Sequence, residues 1–99
     1  MNNQTLLENR ESVLKWYVGI QTIFKHIQVS NNWSKEKAWD QLEIELINAV
    51  GDGDFVPDDL EWVKDLLLYG KKPSTEEALR VSQRYPNSTP LIDALSKLF

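Results

Sequence analysis

The stretch NQTLLENRESVLKWYVGIQTIFKHIQ, residues 3–28, decides the fold class. Within it Leu6, Val13, Trp16, Tyr17, Ile20, Ile23, Phe24 and Ile27 fall at the spacing that brings side chains onto one face of an α-helix. Asn3 or Thr5 is available as the N-cap. Leu7, Leu14 and Val18 widen the apolar arc beyond the usual stripe, which predicts a central helix covered by others on more than one side.

The helical period continues outward from this segment. Ser30-Asn31-Asn32-Trp33 reads as a turn, after which Ser34 caps a second helix over 34–50, with Gly51 in the left-handed C′ position. Ala38, Trp39, Leu42, Leu46, Ala49 and Val50 share its inner face. Ile44 projects on the opposite side and Ile47 lies off the edge, among Glu36, Asp40, Glu43 and Asn48. After the loop 51–57, Asp58 and Glu61 form a capping box for a third helix, 58–69, with Leu60, Val63, Leu66 and Leu67 inward. Ser74 and Glu77 repeat that arrangement for a fourth, 75–85, carrying Ala78, Leu79, Val81 and Ser82 and ending before Pro86. Thr89-Pro90 opens a fifth, 90–98, with Leu91, Ile92, Leu95 and Leu98 apolar. No segment alternates with period two and hairpin chemistry. The expected fold is all-α, a compact bundle of about five helices in a single domain spanning 1–99.

Composition narrows the class. Hydrophobic content of 41% with 26% charged residues is ordinary globular usage, so the chain is expected to fold without help. With no cysteine it has neither a disulfide framework nor a thiolate metal site, which fits a reducing compartment and makes the cytoplasm the expected location. No signal-like N-terminus and no membrane span are legible.

Charge is unevenly spread. Ten of the fifteen carboxylates lie between Glu36 and Asp65, opposed only by Lys37 and Lys64, so this window carries −8 while each flank carries +2. Such a field repels nucleic acid and anionic lipid and steers cationic partners. Ile44, Ile47, Phe55, Trp62 and Tyr69 are interleaved with the acids. An interface has this composition, apolar anchors for affinity and surrounding charges for orientation and rapid association. A compact bundle could equally take Trp62 and Ile44 into its core. The residues expected to bind a partner are Asp40, Glu43, Ile44, Ile47, Asp52, Asp54, Asp58, Asp59, Glu61, Trp62, Asp65 and Tyr69.

Other chemistry finds little support. His26, the single histidine, falls on the polar side of the first helix near Lys15 and Thr22, and no triad or zinc site can be assembled around it. Asp52 and Asp54 match the first and third positions of a calcium loop, but Val56, Pro57 and Val63 stand at the fifth, sixth and twelfth. No catalytic residue, cofactor or metal ligand is expected. Lys71, Lys72, Arg80, Arg84 and Lys97, near Tyr69 and Tyr85, make a poor phosphate footprint beside the acidic window, so direct nucleic-acid binding is not expected.

The segment from Asp58 to Leu79, with Asp-Leu-Leu-Leu-Tyr-Gly over 65–70 and a second helix through Ala78-Leu79, resembles the Maf-type and contact-dependent-inhibition immunity proteins of bacterial toxin systems. The resemblance implies a non-catalytic, one-to-one inhibitor that binds a cognate nuclease toxin domain in the cytoplasm. Its carboxylates would stand where substrate phosphates otherwise bind. Two other readings share the same surface: a phage inhibitor that occupies the nucleic-acid channel of a defence complex, and a regulatory or scaffold subunit that docks through Trp62 and Ile44.

Overall fold

A computed structural model describes residues 3–85 and 90–99, with side chains from Lys15 onward except that of Ser82. Among the described residues five α-helices follow one another: α1 Asn3–Asn31, α2 Lys35–Gly51, α3 Leu60–Tyr69, α4 Thr75–Arg84 and α5 Pro90–Ser96, with a 3-10 turn Pro57–Asp59 leading into α3. No strand occurs among the described residues. The fold is the all-α bundle that the periodicity predicts.

The 29 residues of α1, at the ~1.5 Å helical rise per residue, run the length of the molecule, whose long axis is 45 Å. Tyr17, Ile20, Phe24 and Ile27 are buried along it, and α1 touches each of the other four helices. Its central position is therefore as expected. Val18 is not part of the buried arc, however, since it is 57% exposed. The placement of Leu6, Leu7, Val13 and Leu14 and the N-cap side chain lie outside the described side chains, as Pro86 and Thr89 lie outside the described residues.

Helix ends follow from their caps. α1 runs to Asn31, whose side-chain Nδ2 donates to the Ile27 carbonyl at 3.0 Å, and Asn32 then takes the left-handed conformation at φ 55°. Asn32 N–H donates to Val29 and Trp33 N–H to Gln28, the paired bonds of a Schellman ending. Ser34 caps α2 by accepting from the Lys37 amide at 3.1 Å. Gly51 is not the C′ residue; it is the last helical residue, because Asp52 N–H still bonds Asn48. The left-handed position is Gly53, φ 81°, where Gly53 N–H reaches Val50 and Asp54 N–H reaches Ala49. The capping box of Asp58 with Glu61 does not form. Asp59 is the N-cap of α3 and its side chain makes no capping bond, being engaged elsewhere. Ser74 does cap α4, accepting from Glu77 N–H at 3.1 Å.

The core joins Ala38, Trp39, Leu42 and Leu46 of α2, Val63, Leu66 and Leu67 of α3, and Ala78 and Val81 of α4 to the α1 stripe. α2 lies against α3 and α5, whereas α4 lies chiefly on α1. Trp62 belongs to this core. At 6% exposure its ring meets Tyr17 edge-on at 5.2 Å and Trp16 at 6.2 Å, so it is no surface anchor. Phe55, buried at 4%, is likewise removed from the surface. Ile44 and Ile47 stay outside at 54% and 52%.

Burial separates two substitutions cleanly. Trp62→Ala should lower unfolding free energy by about 3–5 kcal/mol through the cavity it leaves. Ile44→Ala should change it by less than about 0.5 kcal/mol, as an exposed site does. Urea unfolding of both variants measures this, and equal losses would contradict the assignment of one to core and the other to surface.

Candidate functional site

The acidic segment is organised by one of its own members. Asp59 is 1% exposed, and its carboxylate accepts from Arg84 Nη1 at 2.9 Å and from the Tyr85 hydroxyl at 2.7 Å. The Tyr85 oxygen in turn accepts from Val56 N–H at 3.1 Å, and the Tyr85 ring stacks on Phe55 at 5.4 Å with planes 10° apart. Asp59 is thus an internal ion-pair partner and offers no charge to a binding partner, contrary to its place in the expected set. Its hydrogen bond and charge push the Arg84 pKa up. Burial first, and the bond to Asp59 second, push Tyr85 up to about 12. Burial, reinforced by the charges of Glu77 and Asp59, raises Tyr17 well above the usual tyrosine range.

Beyond this clamp the acids turn outward. Asp58, Glu61 and Asp65 line the outer side of the 3-10 turn and α3, and none of their carboxylates has an ion-pair partner among the described residues. Glu61 and Asp65 form a ridge between two hollows. Toward α2 lies one of about 370 Å³, bordered by Trp39, Glu43, Lys64 and Tyr69. Tyr69 is 71% exposed, and the exposed Asp40, Ile44 and Ile47 project from α2, whose Glu43 borders this hollow. Seven of the expected residues thus fall on the exposed sides of α2 and α3: Asp40, Glu43, Ile44, Ile47, Glu61, Asp65 and Tyr69.

On the other side of the ridge a hollow of about 410 Å³ opens toward α4. Asp58, Glu61, Asp65 and Glu77 supply carboxylates there, with Asp59 and Trp62 also in its lining. Lys71, Arg80 and Arg84 are the cations. Two are already engaged, Arg84 with Asp59 and Arg80 with Glu77 at 3.8 Å. Glu77 and Arg80 were not among the expected site residues; with Arg84 they recur at three- and four-residue steps on α4, a periodicity visible in the sequence. Among the described residues two buried side-chain polar atoms, Trp62 Nε1 and the Tyr17 hydroxyl, have no hydrogen-bond partner.

Asp52 and Asp54 do not join the α3 ridge. They line a separate hollow of about 620 Å³ with Glu45, Asp93 and Lys97, on the far side of Arg84, which borders both. Lys97 pairs with Glu45 at 3.6 Å. His26 is exposed, its ring beside Phe99 at 5.6 Å. No group of three or more His, Cys, Asp or Glu among the described residues is placed to hold a metal ion. No described helix is long and apolar enough to cross a membrane. Comparison with protein-family models, curated proteins and solved structures gave no match.

Buried Tyr17 and half-buried Tyr85 set a pH response. Both release their protons later in the folded chain than the ordinary pKa of about 10, so their contribution is complete below about pH 10 and is lost as pH rises toward and past 12. The urea midpoint should therefore fall across pH 10 to 12, and Tyr85→Phe should flatten that fall. An unchanged slope in the variant would contradict the clamp's role.

Proposed function

We propose that this chain is a non-catalytic inhibitor that binds a basic protein partner through the acidic faces of α2 and α3, the partner being a cognate bacterial nuclease toxin. The observation that carries the reading is the α3 ridge: Asp58, Glu61 and Asp65 stand without ion-pair partners in a fold that gives its buried carboxylate two donors. Exposed Tyr69, Ile44 and Ile47 supply apolar contact on the same two helices. A nuclease presents arginine and lysine to phosphate, and a row of carboxylates is complementary to those cations. Aromatic and aliphatic groups among the charges add the desolvated contact that charge alone does not give. A nucleic-acid-guided defence complex carries similar phosphate-binding cations and is the alternative partner, with the chain then acting as a phosphate mimic.

The partner purified with the tagged chain from its source cells should be a basic protein that cleaves RNA or DNA, and an equimolar amount of the chain should abolish cleavage. A partner without nuclease activity, or one still active when saturated, would refute the toxin-inhibitor reading. With that partner, reversing Asp58, Glu61 and Asp65 to lysine should slow association at low salt by about tenfold or more and weaken its salt dependence. Tyr69→Ala should instead accelerate dissociation, costing about 2 kcal/mol if the ring is a central anchor. Association kinetics across a salt series distinguish the two effects.

A further inference from the structure

A further hollow, of about 440 Å³, lies where the C-terminal part of α1, the end of α3 and the start of α2 meet. Phe24 and Val29 of α1 and Leu66 and Leu67 of α3 give it an apolar lining, and Lys25 and Lys35 supply its charge. Among the described residues no acid lines it and neither lysine has an ion-pair partner. Each of the other three hollows carries three or more carboxylates. In a chain of net charge −4 this hollow is therefore the one that favours an anion. Val29, which is 72% exposed at its edge, leaves apolar surface in water there.

An occupant of matching chemistry carries apolar side chains beside carboxylates that lack cations of their own. The outer face of α2 has that composition. Ile44 and Ile47 are exposed, and Asp40 and Glu43 stand four residues before each of them, so the four side chains are neighbours on one helix face. Among the described residues Asp40 and Glu43 have no ion-pair partner, whereas Glu45 on the same helix is held by Lys97. Two acids with two isoleucines on one surface thus match two lysines around an apolar hollow on another.

We propose that the hollow between α1 and α3 receives the outer face of α2 from a second copy of this chain, with Ile44 of that copy against the apolar lining and its Asp40 and Glu43 carboxylates on Lys25 and Lys35. The contact joins two different surfaces, so it is heterologous and propagates head to tail unless the rotation between copies closes a ring. One hollow and one helix face make a small interface, so association is weak and grows with concentration. Complementary charge sets its orientation, and burial of the isoleucines supplies its affinity. The contact needs no second protein and stands apart from the nuclease reading. It does cover the α2 face that the reading assigns to a basic partner, so that partner and a second copy compete for one surface.

The test is sedimentation velocity of the full chain over a concentration series at about 0.1 M salt, where net repulsion between copies is screened beyond about 10 Å and charges in contact still interact. The weight-average sedimentation coefficient should rise with concentration. Lys25→Glu with Lys35→Glu should remain monomeric, and so should Asp40→Lys with Glu43→Lys, because each variant sets like charges against one another. The second double variant raises the net charge from −4 to zero, so its failure to associate cannot come from overall repulsion. An equimolar mixture of the two variants should associate again, the reversed hollow of one now matching the reversed α2 face of the other. Ile44→Ala should weaken self-association by about fivefold or more through lost apolar burial. A wild-type chain that stays monomeric throughout, a double variant that associates as well as the wild type, or a mixture that stays monomeric would overturn the proposal. A monomeric chain that inhibits a nuclease loses this contact and keeps the inhibitor reading; one that self-associates but has no nuclease partner does the reverse.

Discussion

The buried carboxylate of Asp59 is the constraint around which the acidic half of the molecule is arranged. Removing a carboxylate from water costs several kcal/mol unless strong donors replace the solvent. Here the replacements are the Arg84 guanidinium and the Tyr85 hydroxyl, both from the C-terminal end of α4. α4 rests chiefly on α1. The Asp59 contacts therefore join the start of α3 to the end of α4 and hold a gap between them. Val56 N–H and the stacked Phe55 extend the same clamp into the loop ahead of α3.

Because one acid of the segment is satisfied internally, its neighbours are displayed. Asp58 precedes the buried residue and Glu61 follows it, and the helical turn places both outward as Asp59 turns in. Exposed carboxylates without partners are common on proteins and are ordinarily just hydrated. What distinguishes this group is the company it keeps, exposed Tyr69 on α3 with Ile44 and Ile47 exposed on α2. Charge gives reach and orientation, and the apolar groups give the contact something to hold.

Most of the fold was legible because periodicity and capping are local. The inner faces of α2 and α3, the Ser34 and Ser74 caps and the stop at Gly70 all follow from residues a few positions apart. The site was legible only in part. Helical projection sets Ile44 opposite the inner face of α2 and Ile47 off its edge but does not say whether another helix covers Ile44, and Asp59 looks like any other acid of its run. Its partners are 25 and 26 residues away, and nothing in the spacing of Asp58-Asp59 says which of the two turns inward. The same long-range pairing explains the missing capping box, since the 3-10 turn that carries Asp59 inward replaces the first turn expected of α3. Trp62 was ambiguous for a related reason: a residue on the edge of a helix stripe is core or surface according to whether a neighbour covers that edge, and Trp16 and Tyr17 of α1 do.

The clamp is tested most directly by native-state hydrogen exchange at the Val56 amide, whose acceptor is the Tyr85 hydroxyl. In Tyr85→Phe the acceptor is gone while the stacked ring remains. Exchange at Val56 should then accelerate by about tenfold or more, as loss of a hydrogen bond worth roughly 1.4 kcal/mol would produce, while the amides of Leu42 and Leu46 in the α2 core keep their rates. Unchanged exchange at Val56 would show that the Asp59 network does not hold the α3–α4 gap, and would contradict the account at its base.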